Sequence, residues 1–79
     1  MCSELRVLII DAQPRTPLCL KALLTTYPYI KEVQDAETGW QGISVIEQVR
    51  PDVVLVDARM PDMDGIETTR QIRQRWPHI

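Results

Sequence analysis

The chain has 79 residues and a net charge of −2, and 44% of its residues are hydrophobic. Such a length allows one small domain, because a chain of this size buries only about 60–65% of its unfolded surface. The ordinary composition excludes disorder, and the weak negative charge does not indicate a basic surface for direct nucleic-acid binding. No apolar run reaches the ~20 residues that a membrane span needs.

The chain begins with an apolar strand and an amphipathic helix. The run Leu5–Ile10 predicts the first strand. We expect Thr16 to cap the helix that follows, with Pro17 at its first position. A start at Pro14 instead would place Pro17 inside the helix and remove a hydrogen bond. Pro28 is predicted to end the helix, and its apolar side is formed by Leu18, Leu20, Leu23, Leu24 and Tyr27.

A second strand and a second helix follow. Residues 31–36 are polar and alternate only weakly, which suits a strand at the edge of a sheet. Thr38 and Gln41 have the spacing of a capping box at the start of a helix. Pro51 closes this helix, and its inward stripe is Ile43, Ile46 and Val49.

The third strand and third helix enclose an acidic loop. Val53–Val56 is a short apolar run, typical of a strand buried on both faces, and it ends at Asp57. After the loop, Asp64 is predicted to cap the third helix, with Glu67 three residues later. One side of that helix is formed by Ile66, Thr69, Ile72, Arg73 and Trp76.

Two successive βαβ units predict a parallel sheet with right-handed crossovers. The polar second strand belongs at an edge and the two apolar strands belong side by side. We therefore expect the strand order 2-1-3, which is half of a doubly wound α/β sheet. In this truncated (βα)3 arrangement the third strand is an uncovered apolar edge, a predicted site for pairing with another chain.

Two of the predicted strands end in an aspartate. Asp11 follows the first strand and Asp57 the third, on either side of the point where the strand order reverses, which is where ligands bind in open sheets. At a strand spacing of ~4.8 Å, the two charges repel by about 3 kcal/mol at an effective dielectric of about 20. Mg²⁺ would remove this cost, because it takes few protein ligands and keeps several waters.

A carboxylate beside such an ion can act as a nucleophile toward phosphorus and form an acyl phosphate. The structural alternative is that Asp11 and Asp57 are solvated loop acids or helix caps. We interpret Asp62 as a solvated acid of the turn rather than a ligand.

Residues 50–65, with the sequence RPDVVLVDARMPDMDG, resemble the phosphoacceptor segment of bacterial response-regulator receiver domains, above all of regulators with a C-terminal helix-turn-helix output domain. Residues 6–14, RVLIIDAQP, are similar to the first-strand motif of the same family. The resemblance covers nearly the whole chain. It implies a flavodoxin-like fold in which residues 1–79 form an incomplete receiver domain without the fourth and fifth βα units.

The resemblance also implies a role in two-component signalling. Asp57 would be phosphorylated by a partner histidine kinase or phosphotransfer protein, and transcription regulation would be the output. Asp11, Asp57 and the main-chain carbonyl of Arg59 would bind Mg²⁺. The segment itself would not be an enzyme, and it would be cytoplasmic. The absence of a signal peptide agrees with this location, as does our interpretation of Cys2 and Cys19 as free thiols rather than a disulfide.

The chain departs from the family pattern in two ways. Ala12 stands where the family has a second acid, usually the direct metal ligand, so we expect Mg²⁺ binding to be weakened. The family also has a hydroxyl residue and a lysine at the ends of its fourth and fifth strands, and Lys21 and Lys31 do not match that lysine. We therefore do not expect phosphotransfer by these residues alone.

Two alternative functions stay open at this point. A pseudo-receiver would keep the fold and bind proteins without being phosphorylated, as Ala12 suggests. A flavodoxin-like cofactor binder is the third hypothesis. Its support is small because Gly39, Gly42 and Gly65 form no phosphate-binding loop.

Overall fold

The computed structural model describes residues 4–13, 15–60 and 62–79. Three strands and three helices alternate along the chain, as predicted: β1 (Leu5–Ile10), α1 (Arg15–Leu24), β2 (Ile30–Ala36), α2 (Gly39–Val49), β3 (Val53–Val56) and α3 (Gly65–Arg75). Three residues considered in the sequence analysis lie outside the described residues: Cys2, Pro14 and Pro61. The interpretation of Cys2 as a free thiol and the alternative helix start at Pro14 are therefore not tested.

The three strands form one parallel sheet in the order β2-β1-β3. Val7 of the central strand β1 is aligned with Val33 of β2 and with Val53 of β3. The predicted flavodoxin-like order 2-1-3 is therefore confirmed, with the polar β2 at an edge. Because β1 has neighbours on both sides and helices on both faces, Leu8 and Ile10 are almost fully buried.

The two faces of the sheet have separate hydrophobic cores. On one face, α2 and α3 cover a cluster of Leu8, Ile10, Ala36, Ile43, Ile46, Met63, Ile72 and Trp76. On the other, Leu20 and Leu24 of α1 pack against Val7, Ile9 and Val33. Burial of each large aliphatic side chain contributes roughly 1.5–3 kcal/mol, so the larger cluster is the main source of stability.

Strand β3 is more exposed than predicted. Val53 and Leu55 lie beside Val7 and Ile9 on the α1 face, yet each is 40% exposed. The prediction that this strand is buried on both faces is wrong. On the α1 face, Leu20 and Leu24 pack on β1 and β2 instead, and on the other face Val54 and Val56 are only half-buried. In the described residues, β3 pairs only with β1.

Helix α1 begins earlier than predicted. Its first residue is Arg15 rather than Pro17, and Pro17 is its third, buried residue. The prediction preferred the later start because proline lacks an N–H and would remove a hydrogen bond inside the helix. However, the first four N–H groups of a helix have no intrahelical acceptor, so proline is tolerated there.

Helix α1 also ends earlier than Pro28, at Leu24. The hydroxyl groups of Thr25 and Thr26 donate to main-chain carbonyls of the last turn, at 2.8 Å from Lys21 O and 2.7 Å from Leu23 O. Of its predicted apolar side, only Leu20 and Leu24 pack on the sheet. The other three members, Leu18, Leu23 and Tyr27, are exposed.

Two of the three predicted helix caps are present, at Thr38 and Asp64. The third is wrong, because Thr16 lies inside α1 as its second residue. Thr38 Oγ1 accepts a hydrogen bond from Gln41 N at 3.0 Å, and Gln41 Oε1 accepts one from Glu37 N at 2.7 Å. The return bond of this capping box therefore goes one residue before the N-cap. In α3, Asp64 Oδ1 accepts from Glu67 N at 2.8 Å.

The predicted inward side of α3 is confirmed for Ile72 and Trp76 and wrong for its other three residues. Thr68, Ile72 and Trp76 are buried. Ile66 is 77% exposed, and Thr69 and Arg73 are also exposed. The reason is that α3 packs against α2 as well as β3, which turns its buried stripe toward the middle of the sheet.

Candidate acidic site at the carboxyl edge of the sheet

Main-chain hydrogen bonds align the ends of the three strands. Asp57 N donates to Ile10 O at 2.9 Å, which fixes the residue after β3 beside the end of β1. Asp11 N donates to Ala36 O at 3.0 Å, which fixes the residue after β1 beside the end of β2. The two aspartates therefore follow neighbouring strands at the same edge of the sheet.

Asp11 and Asp57 share one cavity. Its volume is about 150 Å³, and the rest of its lining is apolar: Ile9, Ile10, Leu20, Leu55 and Val56. Asp11 is only 9% exposed, and Asp57 is half-buried. The structure thus brings together, around one solvent-open cavity, the two acids that the sequence singled out.

Each carboxylate has one oxygen held by its own turn. Asp11 Oδ1 accepts from Gln13 N at 2.8 Å, and Asp57 Oδ1 accepts from Arg59 N at 3.1 Å. These are local side-chain-to-backbone turns that aspartate commonly forms. The Oδ2 atoms of Asp11 and Asp57 accept no hydrogen bond from the described residues. Because no side-chain oxygen in this part of the chain is both fully buried and without a partner, these two atoms must be exposed to some degree. One oxygen of each acid is therefore accessible.

The oxygen atoms present are compatible with Mg²⁺. Two carboxylates share the cavity, and the third predicted ligand, the carbonyl of Arg59, is two residues from Asp57 in the same turn. Ala12 has no side-chain oxygen, and among the described residues no group of three or more His, Cys, Asp or Glu side chains is arranged to hold a metal. Mg²⁺ often binds proteins through one or two carboxylates and retains its waters, so this donor set fits it without a third acid.

Gly65 fixes the loop that follows Asp57, a role that the sequence interpretation missed. Gly65 N donates to Ala58 O at 3.1 Å. A Cβ at Gly65 would lie 2.7 Å from Ala58 Cα and 2.8 Å from Asp57 C, and closer still to Asp57 O. Only glycine allows this approach of α3 to the backbone of Asp57. A glycine in the first turn of a predicted helix was the available signal.

Asp62 has more contacts than a solvated turn acid. Its two carboxylate oxygens accept hydrogen bonds from Gly39 N and Trp40 N, each at 3.3 Å, at the start of α2. Desolvation acts to raise the pKa of Asp62, but hydrogen bonds from the N–H groups of Met63, Trp40 and Gly39 together hold its pKa below its ordinary value. The side chain is therefore a carboxylate at neutral pH.

The sequence of residues 7–79 matches the family model for the response regulator receiver domain. The chain belongs to this family. Receiver domains are signalling domains of two-component systems, and the flavodoxin-like fold described above is the fold of its structural neighbours.

Three similar proteins illustrate the range of the family. The chain is 38% identical over 92% of its length to protein-glutamate methylesterase/protein-glutamine glutaminase 2 of Methanospirillum hungatei, and covers 21% of that protein. It is 38% identical over 87% of its length to the nitrate/nitrite response regulator protein NarL of Escherichia coli K12, and covers 32% of it. The structure of the response regulator TrrA from Thermotoga maritima, in complex with Mg(2+)-BeF, matches this chain with a TM-score of 0.84 and 28% identity. The match includes 91% of this chain and 61% of TrrA.

The chain therefore spans a fifth to a third of these two relatives. Their names include an enzyme and a response regulator, so receiver domains accompany different activities. Within the described residues, no helix combines the length and the apolar character needed to span a bilayer.

Proposed function

We propose that this receiver domain accepts a phosphoryl group on Asp57 from a histidine kinase or a phosphotransfer protein. The observation that supports it is the shared cavity of Asp11 and Asp57, in which Asp57 keeps one carboxylate oxygen free while Arg59 N–H holds the other. This free oxygen would attack the phosphorus of a phosphoimidazole donor. The O–P bond forms, the P–N bond breaks, and the electron pair of that bond stays on the imidazole nitrogen.

We propose that Asp11, Asp57 and the main-chain carbonyl of Arg59 hold Mg²⁺ at this site. When bound, the ion neutralises phosphoryl oxygens, and the protein mainly supplies positioning. Ala12 leaves one ligand position to water, so affinity should be lower than in a site with three acids. Replacing Ala12 with aspartate should tighten Mg²⁺ binding, which a titration followed by amide shifts would measure.

Phosphorylation can be tested with a small phosphodonor such as acetyl phosphate in the presence of Mg²⁺. The chain should be extended with the fourth and fifth βα units of a receiver domain, which carry the hydroxyl residue and the lysine of the family pattern. Intact-mass analysis should show one added phosphoryl group, and Asp57→Asn should abolish it. Phosphate that persists in Asp57→Asn would contradict the proposal. Partner binding that is unchanged by Asp57→Asn would support a pseudo-receiver instead.

The open edge of β3 suggests a second partner, another copy of this chain. Val53 and Leu55 are each 40% exposed on this strand. The chain exposes 5355 Å² in total, whereas a compact protein of its size exposes about 4,900 Å². Pairing of β3 with a second copy would cover part of this excess. Size-exclusion chromatography with circular dichroism tests the idea, and a monomer that melts cooperatively would contradict it.

We further propose that the domain acts in the cytoplasm, contacts neither nucleic acid nor membrane directly, and has no enzymatic turnover of its own. The exposed free thiol of Cys19 is typical of a reducing compartment. The net charge of −2 gives no basic surface for nucleic acid. Regulation of transcription, or of an enzyme, would then belong to other domains of an intact regulator.

A further inference from the structure

The loop that carries the phosphoacceptor is bound to a distant helix. We call residues 57–64 the phosphoacceptor loop. Within it, Asp62 Oδ1 accepts from Gly39 N and Asp62 Oδ2 accepts from Trp40 N, both at 3.3 Å. These two donors open α2 and lie more than 20 residues earlier in the chain, so the bonds connect two elements that the sequence keeps apart.

Helix α2 does not need Asp62 in order to begin. Thr38 already caps it through the bond from Gln41 N, and the third N–H of the first turn is thereby satisfied. The first two N–H groups of a helix have no intrahelical acceptor, and Asp62 accepts from both with separate oxygens. The main effect of the contact therefore falls on the loop, which gains a fixed point, rather than on the helix.

The loop is fixed at both ends, and between them Met60 packs against the larger core cluster. At its start, Asp57 N bonds to Ile10 O and Ala58 O accepts from Gly65 N. At its end, Asp62 is held by α2, and the adjacent Met63 is buried in the core. Arg59 lies between these anchors with an exposed side chain.

Arg59 is the residue whose position matters for the site. Its N–H donates to Asp57 Oδ1 at 3.1 Å, and its carbonyl is one of the proposed Mg²⁺ ligands. We infer that Asp62 is a positioning residue for Asp57: by fixing the far end of the phosphoacceptor loop to α2, it holds Arg59 against the phosphoacceptor. This inference rests on the proposed function for its effect on Mg²⁺, whereas the hydrogen bonds do not depend on that function.

The test compares Asp62→Ala with Asp62→Asn in the ¹⁵N-labelled chain. Both variants remove the same charge, but asparagine keeps one acceptor oxygen. Asp62→Ala should speed amide exchange at Gly39 and Trp40 by about five- to tenfold, the effect expected for a lost helix-cap bond. It should also shift the Arg59 amide and weaken Mg²⁺ binding several-fold. Asp62→Asn should recover part of each effect.

Glu37→Ala is the matched charge control. Glu37 is an exposed acid next to the start of α2, and its carboxylate makes no hydrogen bond or ion pair with the described residues. Equal losses of Mg²⁺ affinity in Asp62→Ala, Asp62→Asn and Glu37→Ala would mean that charge alone acts, which overturns the inference. Unchanged exchange at Gly39 and Trp40 in Asp62→Ala also overturns it.

The two proposals fail separately in this experiment. If the unsubstituted chain shows no response to Mg²⁺, the proposed metal site is wrong. The positioning role of Asp62 is then decided by the Arg59 amide alone. A shift of that amide in Asp62→Ala that Asp62→Asn partly reverses supports the role, and an unmoved amide overturns it.

Discussion

Substitution of Gly65 by alanine is the most direct test of how the fold positions Asp57. The added Cβ would lie 2.7 Å from Ala58 Cα and 2.8 Å from Asp57 C, with the carbonyl oxygen of Asp57 closer than either. All three are backbone atoms, so no side chain can rotate away. Either the first turn of α3 or the backbone of Asp57 must move.

The expected cost follows from two opposing effects. Overpacking in a well-packed site destabilises by about 1–3 kcal/mol, whereas alanine gains up to about 1 kcal/mol over glycine in a helix. We expect a net loss of about 1–2 kcal/mol. This is a large share of the roughly 4–12 kcal/mol that a domain of this length has. With a urea m-value of about 1 kcal/mol/M, the unfolding midpoint should fall by roughly 1–2 M.

Urea denaturation followed by circular dichroism measures this loss. Gly42→Ala is the matched control, because the three atoms nearest to a Cβ at Gly42 all belong to the side chain of Ile10 in the core. Both variants should be less stable, but only Gly65→Ala should shift the Asp57 and Ala58 amides strongly and weaken Mg²⁺ binding of the folded protein. A Gly65→Ala variant that is as stable as the parent and leaves those amides in place would refute the reasoning.

Three further outcomes are expected from the same structure. Asp64→Ala removes the N-cap bond of α3 and should lower the unfolding free energy by about 1 kcal/mol, as measured by urea denaturation. The pKa of Asp62 is lowered in the folded state, so the carboxylate contributes its full stabilisation above the ordinary value of 3.8 and loses it as the pH falls through the lowered value. The difference in urea midpoint between the parent and Asp62→Ala should therefore become smaller from about pH 6 toward pH 3. Ile66→Ser should change the thermal stability by less than about 0.5 kcal/mol because Ile66 is 77% exposed. Ile72→Ala, at a buried position, should cost about 2–5 kcal/mol. Equal effects of the two substitutions would contradict the observed orientation of α3.

The sequence predicted the sheet and the acidic edge because both depend on local signals. Apolar runs at Leu5–Ile10 and Val53–Val56, caps at Thr38 and Asp64, and a polar second strand are enough to order the strands. Once the order 2-1-3 is given, parallel strands must deliver Asp11 and Asp57 to the same edge. The approximate position of the site therefore follows from topology without any side-chain geometry.

The amino-acid sequence by itself determined which segments become strands and helices, which strand is central and which carboxylates meet. Only the tertiary structure decided which side of α3 faces inward, that α1 leaves Val53 and Leu55 uncovered, and that Gly65 and Asp62 hold the loop around Asp57. The physical reason is range: helix periodicity and caps act over a few residues. The rotation of a helix and the partners of a loop are set by contacts with elements more than 20 residues away.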